Sequence, residues 1–296
     1  MFHDSSYDNS LDAAMVWFRK IYLLLRVPHW SKAIFVLLGV IYAEVSGYWP
    51  SALLAAFAFC LISSAAYVYN DLQDIEEDRL HPFKRHRPIA SAQVSVAFAV
   101  WALAFLLLFG YMLAFAVSSK VAFILSIYLL INLFYNHWFR TILVLEILCI
   151  ASGFMLRILT GTVGIGLPLT TWLAITAALL SLLIALGKRR LELNIQLKKA
   201  SRTALKKYHP HILDVMINFI AIGCFITYAL YVIYPRNEGF YFLLTIPFAG
   251  FGIWRFLFLI ARERNNDDPV FLLFKDNLSC INLLCFFALT LLGLNT

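Results

Sequence analysis

Long apolar stretches recur along almost the whole chain and are separated by short polar segments. A membrane-spanning helix needs about 20 consecutive, mostly apolar residues. We predict nine transmembrane helices, at 32–48, 51–69, 93–116, 120–136, 141–163, 168–187, 212–234, 239–260 and 277–294. Residues 118–120 alone separate the third and fourth helices, and a turn around Gly164, Gly166 and Pro168 separates the fifth and sixth. Such short connections predict antiparallel helical hairpins.

The distribution of Lys and Arg predicts the orientation of these helices, because short cytoplasmic loops retain positive charge. With a cytoplasmic N-terminus, 20 of the 24 Lys and Arg residues fall in inner segments, and only Lys120 and Arg236 fall in outer turns. The net charge of +7 therefore indicates topology and not nucleic-acid binding. We expect a polar cytoplasmic tail at 1–18 and a single nine-helix transmembrane domain at 19–296, with the C-terminus outside.

The composition excludes two other classes of protein. Hydrophobic residues make up 62% of the chain and charged residues 14%, whereas soluble domains have about 45–50% and about 25%. An ordinary soluble enzyme is therefore excluded, and so is a disordered chain, which needs low hydrophobicity and high net charge. The five cysteines lie in apolar stretches without a CxxC pair or zinc-ligand spacing.

Acidic residues are concentrated at the cytoplasmic end of the second predicted span. Five of the 17 Asp and Glu residues lie between positions 71 and 78. Asp71, Asp74 and Asp78 are spaced i, i+3, i+7, which places them on one face of a helix. Converging carboxylates favour a hard divalent cation such as Mg²⁺, which completes its coordination with water and substrate phosphates. The alternative is a solvated acidic helix end that forms ion pairs with nearby arginines.

A short basic segment follows the acidic one directly. Pro82 and Pro88 bracket Lys84, Arg85 and Arg87 in a stiff loop. Arginine presents a planar fork to phosphate oxygens and lysine a compact charge. Carboxylates for a metal followed by cations for phosphate are typical of a diphosphate site. The alternative for the basic residues alone is a loop that only sets membrane topology.

These motifs resemble a known family. The pattern Asn70-Asp71-x-x-Asp74-x-x-x-Asp78 resembles the first aspartate-rich motif of the UbiA superfamily of intramembrane prenyltransferases, which have nine transmembrane helices. The run from Arg79 to Ser91 is similar to the decaprenyl-phosphate phosphoribosyltransferase branch. Further segments similar to that branch are 25–32, 153–157 with Gly161, and 187–192.

The resemblance implies a set of site residues. UbiA prenyltransferases carry a second aspartate-rich motif on a later cytoplasmic loop, which is absent here, and the phosphoribosyltransferase branch has Tyr and Lys in its place. This chain departs from the branch pattern at four positions: Arg140 replaces Lys, Glu146 replaces Asp, Ala33 replaces Asn and Ala92 replaces Gly. The candidate metal-binding and catalytic residues are Asp71, Asp74 and Asp78, with Mg²⁺ as cofactor. The candidate phosphate-binding residues are Asn70, Lys32, Lys84, Arg85, Arg87, Tyr135, Arg140, Arg157, Lys188 and Arg189.

Two of these groups also have other interpretations. Arg157 lies within a predicted span, where a charge normally faces the interior of the helix bundle and has a partner. We expect it to contact Glu146 or the substrate. Lys188 and Arg189 follow Gly187 at the inner end of the sixth span, where they either bind phosphate or anchor the helix to the cytosolic surface.

Three functions follow as hypotheses. The first is a bacterial cytoplasmic-membrane transferase with a cytoplasmic active site, which moves phosphoribose from 5-phosphoribosyl diphosphate to a polyprenyl phosphate of the decaprenyl type and releases diphosphate. The second is transfer of a polyprenyl group from an isoprenyl diphosphate to an aromatic or other small acceptor. The third is a transporter, although no internal repeat is visible and the polar residues collect at one membrane face.

Overall fold

The computed structural model describes residues 5–43, 46–81, 84–139, 142–198, 210–234, 240–263, 265–266 and 268–294. Within these ranges the regular structure is helical. The α-helices are α1 Ser5–Leu24, α2 Ile34–Ala43, α3 Trp49–Gln73, α4 Ile75–Leu80, α5 Val96–Val117, α6 Ser119–His137, α7 Leu143–Thr160, α8 Thr171–Lys198, α9 Pro210–Ile233, α10 Phe240–Arg262, α11 Pro269–Lys275 and α12 Asn277–Leu294. Short 3₁₀ helices lie at Val27–Ala33, Ser46–Tyr48, Lys84–His86 and Val163–Ile165.

Seven of the predicted spans are confirmed as long apolar helices. They correspond to α3 and to α5 through α10, and each is long and apolar enough to cross a membrane. The two predicted hairpins are also confirmed, because α5 packs against α6 and α7 against α8. The Ser118 hydroxyl donates to the Gly164 carbonyl (2.6 Å), which joins the two hairpin turns. The protein is therefore a multi-pass membrane protein.

A bend that the sequence did not predict lies just before the first predicted span, 32–48. Two helical pieces, Met15–Leu24 and Val27–Ile41, meet at a bend of 49°. Arg26 lies at the break with φ of 50°, a left-handed conformation that is uncommon for residues other than glycine. Helix formation also begins at Ser5, within the segment predicted as a polar tail.

A second bend precedes the last predicted span. The short helix α11 and helix α12 meet at 88° around Asp276, a feature that the apolar pattern did not indicate. Asp276 pairs with Arg255 at 2.7 Å and accepts a hydrogen bond from the Ser279 backbone N–H (2.9 Å). If each bent pair is one span, the described residues hold up to nine spans.

Helix α3 occupies the centre of the N-terminal half and carries the acidic motif at its end. It packs most extensively against α5 and also contacts α2, α6 and α7. Its buried face is rich in small residues, among them Ala52, Ala55, Ser63, Ser64 and Ala66. Small side chains let helix backbones approach closely in a membrane, where packing drives association. Close packing therefore surrounds the helix that positions the acidic residues.

The basic loop that follows α4 is anchored to the same core. Ile89 and Val94 are buried in a cluster with residues of α3 and α5. The Arg87 backbone N–H donates to the Lys84 carbonyl (2.9 Å), and the Ser91 hydroxyl donates to the Arg87 carbonyl (2.7 Å). These contacts fix the backbone of Arg87 beside the end of α3.

The contact between α2 and the end of α7 generates a test of this packing. A Cβ atom on Gly161 would lie 1.6 Å from the Val36 carbonyl oxygen. We therefore expect Gly161→Ala to destabilise the protein by about 1–3 kcal/mol or more, because backbone atoms cannot move aside easily. Thermal unfolding in detergent checks this, and Gly47→Ala is the control because a Cβ there meets nothing within 4 Å. Equal unfolding temperatures for Gly161→Ala and the wild type would contradict the packing.

Candidate active site

Two buried carboxylates at the end of α3 share one guanidinium group. Asp71 and Asp78 are 2% and 1% exposed. Arg87 Nη1 lies 2.9 Å from Asp71 Oδ1 and 2.7 Å from Asp78 Oδ2. Two carboxylates in one buried site repel each other strongly unless a cation lies between them. The structure thus brings the acidic motif and the basic loop together.

Two further cations complete this cluster. Arg26 Nη2 lies 2.6 Å from Asp71 Oδ1, and Lys84 Nζ lies 3.5 Å from Asp78 Oδ1. Asp78 Oδ1 is buried and accepts no hydrogen bond from the described part of the chain. A buried carboxylate oxygen without a hydrogen bond is costly, and it is a position at which a bound cation or donor would stabilise the site.

Asp74, the middle aspartate of the acidic motif, lies at the break between α3 and α4. It ends α3 and precedes α4, but the backbone continues a helical hydrogen-bond pattern, with the Asp78 N–H donating to the Asp74 carbonyl (2.8 Å). Asp74 is half-buried. Within the described ranges, no three His, Cys, Asp or Glu side chains are grouped closely enough to hold one metal ion. Asp71 and Asp78 instead form ion pairs with Arg87. Ion pairs with nearby arginines are the alternative to a metal site that the acidic motif also predicts.

The next helix is tied to the end of α3 by polar contacts. Asn136 of α6 donates through its side-chain amide to the Asn70 side-chain oxygen, and the Tyr69 hydroxyl is 3.0 Å from His137 Nε2. Asn70 therefore holds α6 in place beside the acidic motif. This contact also brings the end of α6, which carries Tyr135, to the site.

A second polar cluster joins α6, α7 and α8. The Tyr135 hydroxyl donates to Glu146 Oε1 (3.1 Å), and Arg189 Nη2 lies 2.7 Å from the same oxygen. Arg189 also pairs with Glu192 and is only 2% exposed. Two carboxylates thus bind Arg189 in the interior of the bundle.

Lys188 lies near the same polar cluster, within electrostatic range of Glu192 and Tyr135. Arg26 contacts Tyr67 of α3 directly, because its guanidinium lies 4.6 Å from the ring centroid. Lys188 is also within electrostatic range of that tyrosine.

Arg157 is buried within the bundle at 6% exposure. Its Nη1 donates to the Gly153 carbonyl (2.7 Å), and its guanidinium lies 4.6 Å from the Phe59 ring centroid and 5.4 Å from that of Tyr128. Cation–π contacts of this kind stabilise a desolvated charge. The expected contact with Glu146 is not seen, because Glu146 pairs with Arg189.

Lys32 forms an ion pair that links the two ends of the chain. Its Nζ lies 2.6 Å from Asp268 Oδ2, and His29 Nδ1 lies 3.4 Å from the same oxygen. Asp268 also caps α11 by accepting from the backbone N–H groups of Val270 and Phe271. Burial alone would raise the pKa of Asp268, but the hydrogen bond from His29 and the charge of Lys32 hold that pKa well below its usual range.

Two predicted residues remain to be placed. Arg85 is exposed and its Nε lies 3.4 Å from His86 Nε2, so the carboxylates of the cluster are contacted by its neighbours Lys84 and Arg87 instead. Arg140 lies outside the described residues.

Sequence reasoning missed Arg26 and Tyr67 as site residues. Arg26 was counted only as a signal of topology, yet its guanidinium binds Asp71 and lies 4.6 Å from the Tyr67 ring centroid. Its left-handed backbone is held by a hydrogen bond from the His29 N–H to its carbonyl (2.8 Å). Arg26 and Asp71 are 45 residues apart, and no spacing rule joins them. The spacing of Tyr67 and Asp71 by one helical turn was a signal that could have found Tyr67.

The whole arrangement suits chemistry on negatively charged groups. Buried carboxylates hold several guanidinium and ammonium groups in fixed positions, and charge-assisted hydrogen bonds to phosphate oxygens are among the strongest that proteins form. A separate cavity of about 320 Å³ with an almost wholly apolar lining lies between α2, α7, α8 and the helices α9 to α12.

Comparisons with known proteins agree with this picture. The UbiA prenyltransferase family matches residues 33–279. The chain is 32% identical over 216 residues to decaprenyl-phosphate phosphoribosyltransferase of Corynebacterium glutamicum, which covers 70% of this chain and 65% of that protein. It is 30% identical over 192 residues to the protein of the same name from Mycolicibacterium smegmatis, which covers 64% of this chain and 59% of that protein. The match thus spans somewhat less than two thirds of these relatives.

A solved structure supports the fold. A UbiA homolog from Archaeoglobus fulgidus bound to GPP and Mg²⁺ superposes with a TM-score of 0.71 at 18% identity, covering 94% of this chain and all of the other. This likeness concerns the fold. Since the family match covers most of the residues and agrees with the acidic motif on α3, the chain belongs to the UbiA prenyltransferase family.

Proposed function

We propose that this protein transfers phosphoribose from 5-phosphoribosyl diphosphate to a polyprenyl phosphate. The observation that carries the proposal is the set of fixed cations, Arg26, Lys84 and Arg87, on the carboxylates of the acidic motif, in a sequence that lacks the second aspartate-rich motif of the prenyltransferases. A donor with a diphosphate and a sugar phosphate, together with an acceptor phosphate, supplies the negative charge that such a site accommodates. The similarity to decaprenyl-phosphate phosphoribosyltransferases supports the same substrates.

The reaction needs no nucleophile from the protein. An oxygen of the lipid phosphate attacks the anomeric carbon of the ribose, a new carbon–oxygen bond forms, and the bond to diphosphate breaks with its electron pair leaving on the diphosphate. Arg87 and Lys84 would neutralise the charge on the leaving diphosphate. Positioning and electrostatic stabilisation therefore carry the catalysis.

Two of the residues present are positioned to share a divalent cation, because Arg87 brings Asp71 and Asp78 together, whereas no three carboxylates among the described residues are grouped closely enough to hold one ion. Asp71, Asp74 and Asp78 offer the carboxylate oxygens that Mg²⁺ prefers, and Asp78 Oδ1 lacks a hydrogen bond within the described residues. When bound there, Mg²⁺ would neutralise charge on the donor diphosphate. Arg87 would keep Asp71 and Asp78 together in the absence of the substrate.

The membrane arrangement forms part of the proposal. The proposed arrangement is an N-terminal segment at 1–18 and a transmembrane domain at 19–296 with nine helices. Counting each bent pair as one span gives up to nine among the described residues, with the first beginning at Met15, a few residues before the proposed boundary. The distribution of Lys and Arg supports a cytoplasmic N-terminus, an outer C-terminus and an active site on the cytoplasmic side of a bacterial cytoplasmic membrane. The apolar cavity supports a lipid substrate whose chain continues sideways into the bilayer.

A second candidate function is polyprenyl transfer from an isoprenyl diphosphate to an aromatic or other small acceptor. The same carboxylates and the same apolar cavity suit that donor, and the Archaeoglobus fulgidus homolog is bound to GPP and Mg²⁺. Membership of a prenyltransferase family favours either transferase over the transporter hypothesis.

One assay separates the two transferases. Purified protein in lipid nanodiscs is incubated with Mg²⁺, labelled phosphoribosyl diphosphate and polyprenyl phosphate, and in parallel with polyprenyl diphosphate and aromatic acids. We expect labelled phosphoribose to enter the lipid phase. A prenylated aromatic acid without phosphoribosyl lipid would overturn the proposal in favour of the second function.

The metal role is tested at the acidic motif. Asp74→Asn and Asp78→Asn keep nearly the same shape but lose the negative charge that pairs with Mg²⁺, so each is expected to reduce turnover at least tenfold while the protein still inserts into the membrane. Glu76→Gln is the control, because Glu76 is exposed and pairs only with Arg79 among the contacts described here. EDTA should stop the wild-type reaction and Mg²⁺ should restore it. Activity that survives EDTA would contradict a metal role.

The bridging role of Arg87 gives a further prediction. Losing a charge-assisted contact costs about 1.5–3 kcal/mol, so Arg87→Ala should weaken phosphoribosyl diphosphate binding by about one to two decades. Arg85→Ala, in the same loop but on an exposed residue, should have a smaller effect. Titration calorimetry measures the affinity of each variant for phosphoribosyl diphosphate and for inorganic diphosphate. An equal loss of affinity for the two ligands would mean that Arg87 contacts the diphosphate alone. An unchanged affinity for both would mean that the basic loop only sets the membrane topology.

A further inference from the structure

Three aromatic residues form a stripe along one face of α10. Phe251, Trp254 and Phe258 follow one another at helical spacing, and the ring centroids are 5.6 Å apart in the first pair and 5.7 Å apart in the second. Phe251 and Trp254 are 39% and 54% exposed. In a multi-pass membrane protein such exposed rings face lipid, and aromatic residues near a helix end lie at the level of the headgroups.

Two arginines lie on the last ring of this aromatic stripe. The guanidinium carbon of Arg255 lies 5.0 Å from the Phe258 ring centroid, and that of Arg262 lies 4.2 Å from it. Cation–π contacts hold both charges in place. Two positive charges beside one ring repel each other, and an anion that contacts both would relieve the repulsion.

Only one of the two arginines has a carboxylate partner among the described residues. Arg255 pairs with Asp276 through two contacts, 3.0 Å from Nε to Oδ2 and 2.7 Å from Nη2 to Oδ1. Arg262 is exposed in the last turn of α10, and its contact within the described ranges is the Phe258 ring. Lys275, an exposed residue, directly precedes Asp276. Arg255, Arg262 and Lys275 thus form a basic group beside the bend between α11 and α12.

This basic group lies at the same end of the bundle as the acidic motif. The chain continues from Arg262 at the end of α10 to Asp268, which pairs with Lys32 at 2.6 Å. Lys32 belongs to the 3₁₀ helix that follows Arg26, the partner of Asp71. The basic group is therefore at a polar surface of the membrane domain, where lipid phosphates lie.

An apolar groove lies beside the aromatic stripe, between α10 and α12. It has a volume of about 350 Å³, and its lining includes Phe251 of the stripe and Leu278, Ile281 and Cys285 of α12. Leu278 and Ile281 are 51% and 56% exposed, so the groove opens toward lipid. Leu278 lies two residues from Asp276, which places the basic group near one end of the groove.

We propose that Arg255, Phe258 and Arg262, together with this groove, form a binding site for an anionic phospholipid. The phosphate lies between the two guanidinium groups, which donate charge-assisted hydrogen bonds to its oxygens, and one acyl chain lies in the groove. Charge complementarity favours a lipid of net negative charge, because Asp276 compensates Arg255 and leaves the charge of Arg262. This site is separate from the active site, and the proposal does not depend on the proposed function.

A lipid at this site stabilises the bend between α11 and α12. Its phosphate contacts Arg255, the arginine that holds Asp276 at the bend. Phe248 and Asn282 line both the groove and the larger apolar cavity. The acyl chain therefore packs against a wall of that cavity.

The test measures lipid binding by native mass spectrometry with phosphatidylglycerol or phosphatidylcholine, and unfolding temperatures in nanodiscs of each lipid. Arg262→Gln removes the charge that no described carboxylate compensates, and Ile281→Trp fills the groove. Arg19→Gln is the matched control, because Arg19 is an exposed cation on α1. Glycerol phosphate serves as a water-soluble competitor.

We expect the wild type to bind phosphatidylglycerol in preference to phosphatidylcholine, and Arg262→Gln to weaken that binding about tenfold. Ile281→Trp should weaken it as well, whereas Arg19→Gln should bind the lipid like the wild type. Because a ligand of the folded state stabilises it, phosphatidylglycerol nanodiscs should raise the unfolding temperature of the wild type more than that of Arg262→Gln. In phosphatidylcholine the two should unfold at the same temperature, since Arg262 is exposed.

Several outcomes would overturn the proposal. Equal affinity of the wild type for the two lipids would do so, and so would equal losses in Arg262→Gln and Arg19→Gln, which would indicate a general attraction to surface charge. Unchanged binding by Ile281→Trp would exclude the groove as the place of the acyl chain. Displacement of the lipid by an equal concentration of glycerol phosphate would assign the arginines to a free phosphate. Conversion of a dimer into a monomer by Arg262→Gln in phosphatidylcholine would assign this face to contact between two copies of the chain.

Discussion

The structure of the site depends on one buried contact, the Arg87 guanidinium between Asp71 and Asp78. Both carboxylates are almost fully buried at the end of a membrane helix, where an unpaired charge is strongly unfavourable. Nη1 of Arg87 lies within 3 Å of an oxygen of each, so this cation bridges two desolvated anions, to which Arg26 and Lys84 add further positive charge. The contact also joins α3, α4 and the loop after them into one rigid corner.

Several other contacts depend on this corner. Arg26 reaches Asp71 from the break between α1 and α2, and its unusual backbone conformation directs the guanidinium toward Asp71 and Tyr67. Asn136 meets Asn70 from α6. The first helices, the central helix and α6 are therefore held together by polar groups at the level of the acidic motif, and by close apolar packing below it.

The pairing of charges has a consequence for ligand binding. Most of the cations contact carboxylates of the protein, as in Arg26 with Asp71, Lys32 with Asp268 and Arg189 with Glu146. Such pairs keep long side chains in position before a substrate arrives, which lowers the entropy lost on binding. Arg157 differs, because aromatic rings and the Gly153 carbonyl hold its guanidinium.

The sequence by itself determined the class of protein, seven of its long apolar helices, the short hairpins and the presence of an acidic motif followed by a basic loop. These features are local, because hydrophobic length and i, i+3, i+7 spacing act within one segment of the chain. Only the tertiary structure decided which charged side chains pair with each other. Arg26 on Asp71 and Asp268 on Lys32 join segments far apart in the chain, and their approach depends on helix packing and on bends that the apolar pattern does not contain. The physical reason is that a hydrophobic pattern specifies which segments enter the membrane, whereas the pairing of buried charges depends on which helix ends meet there.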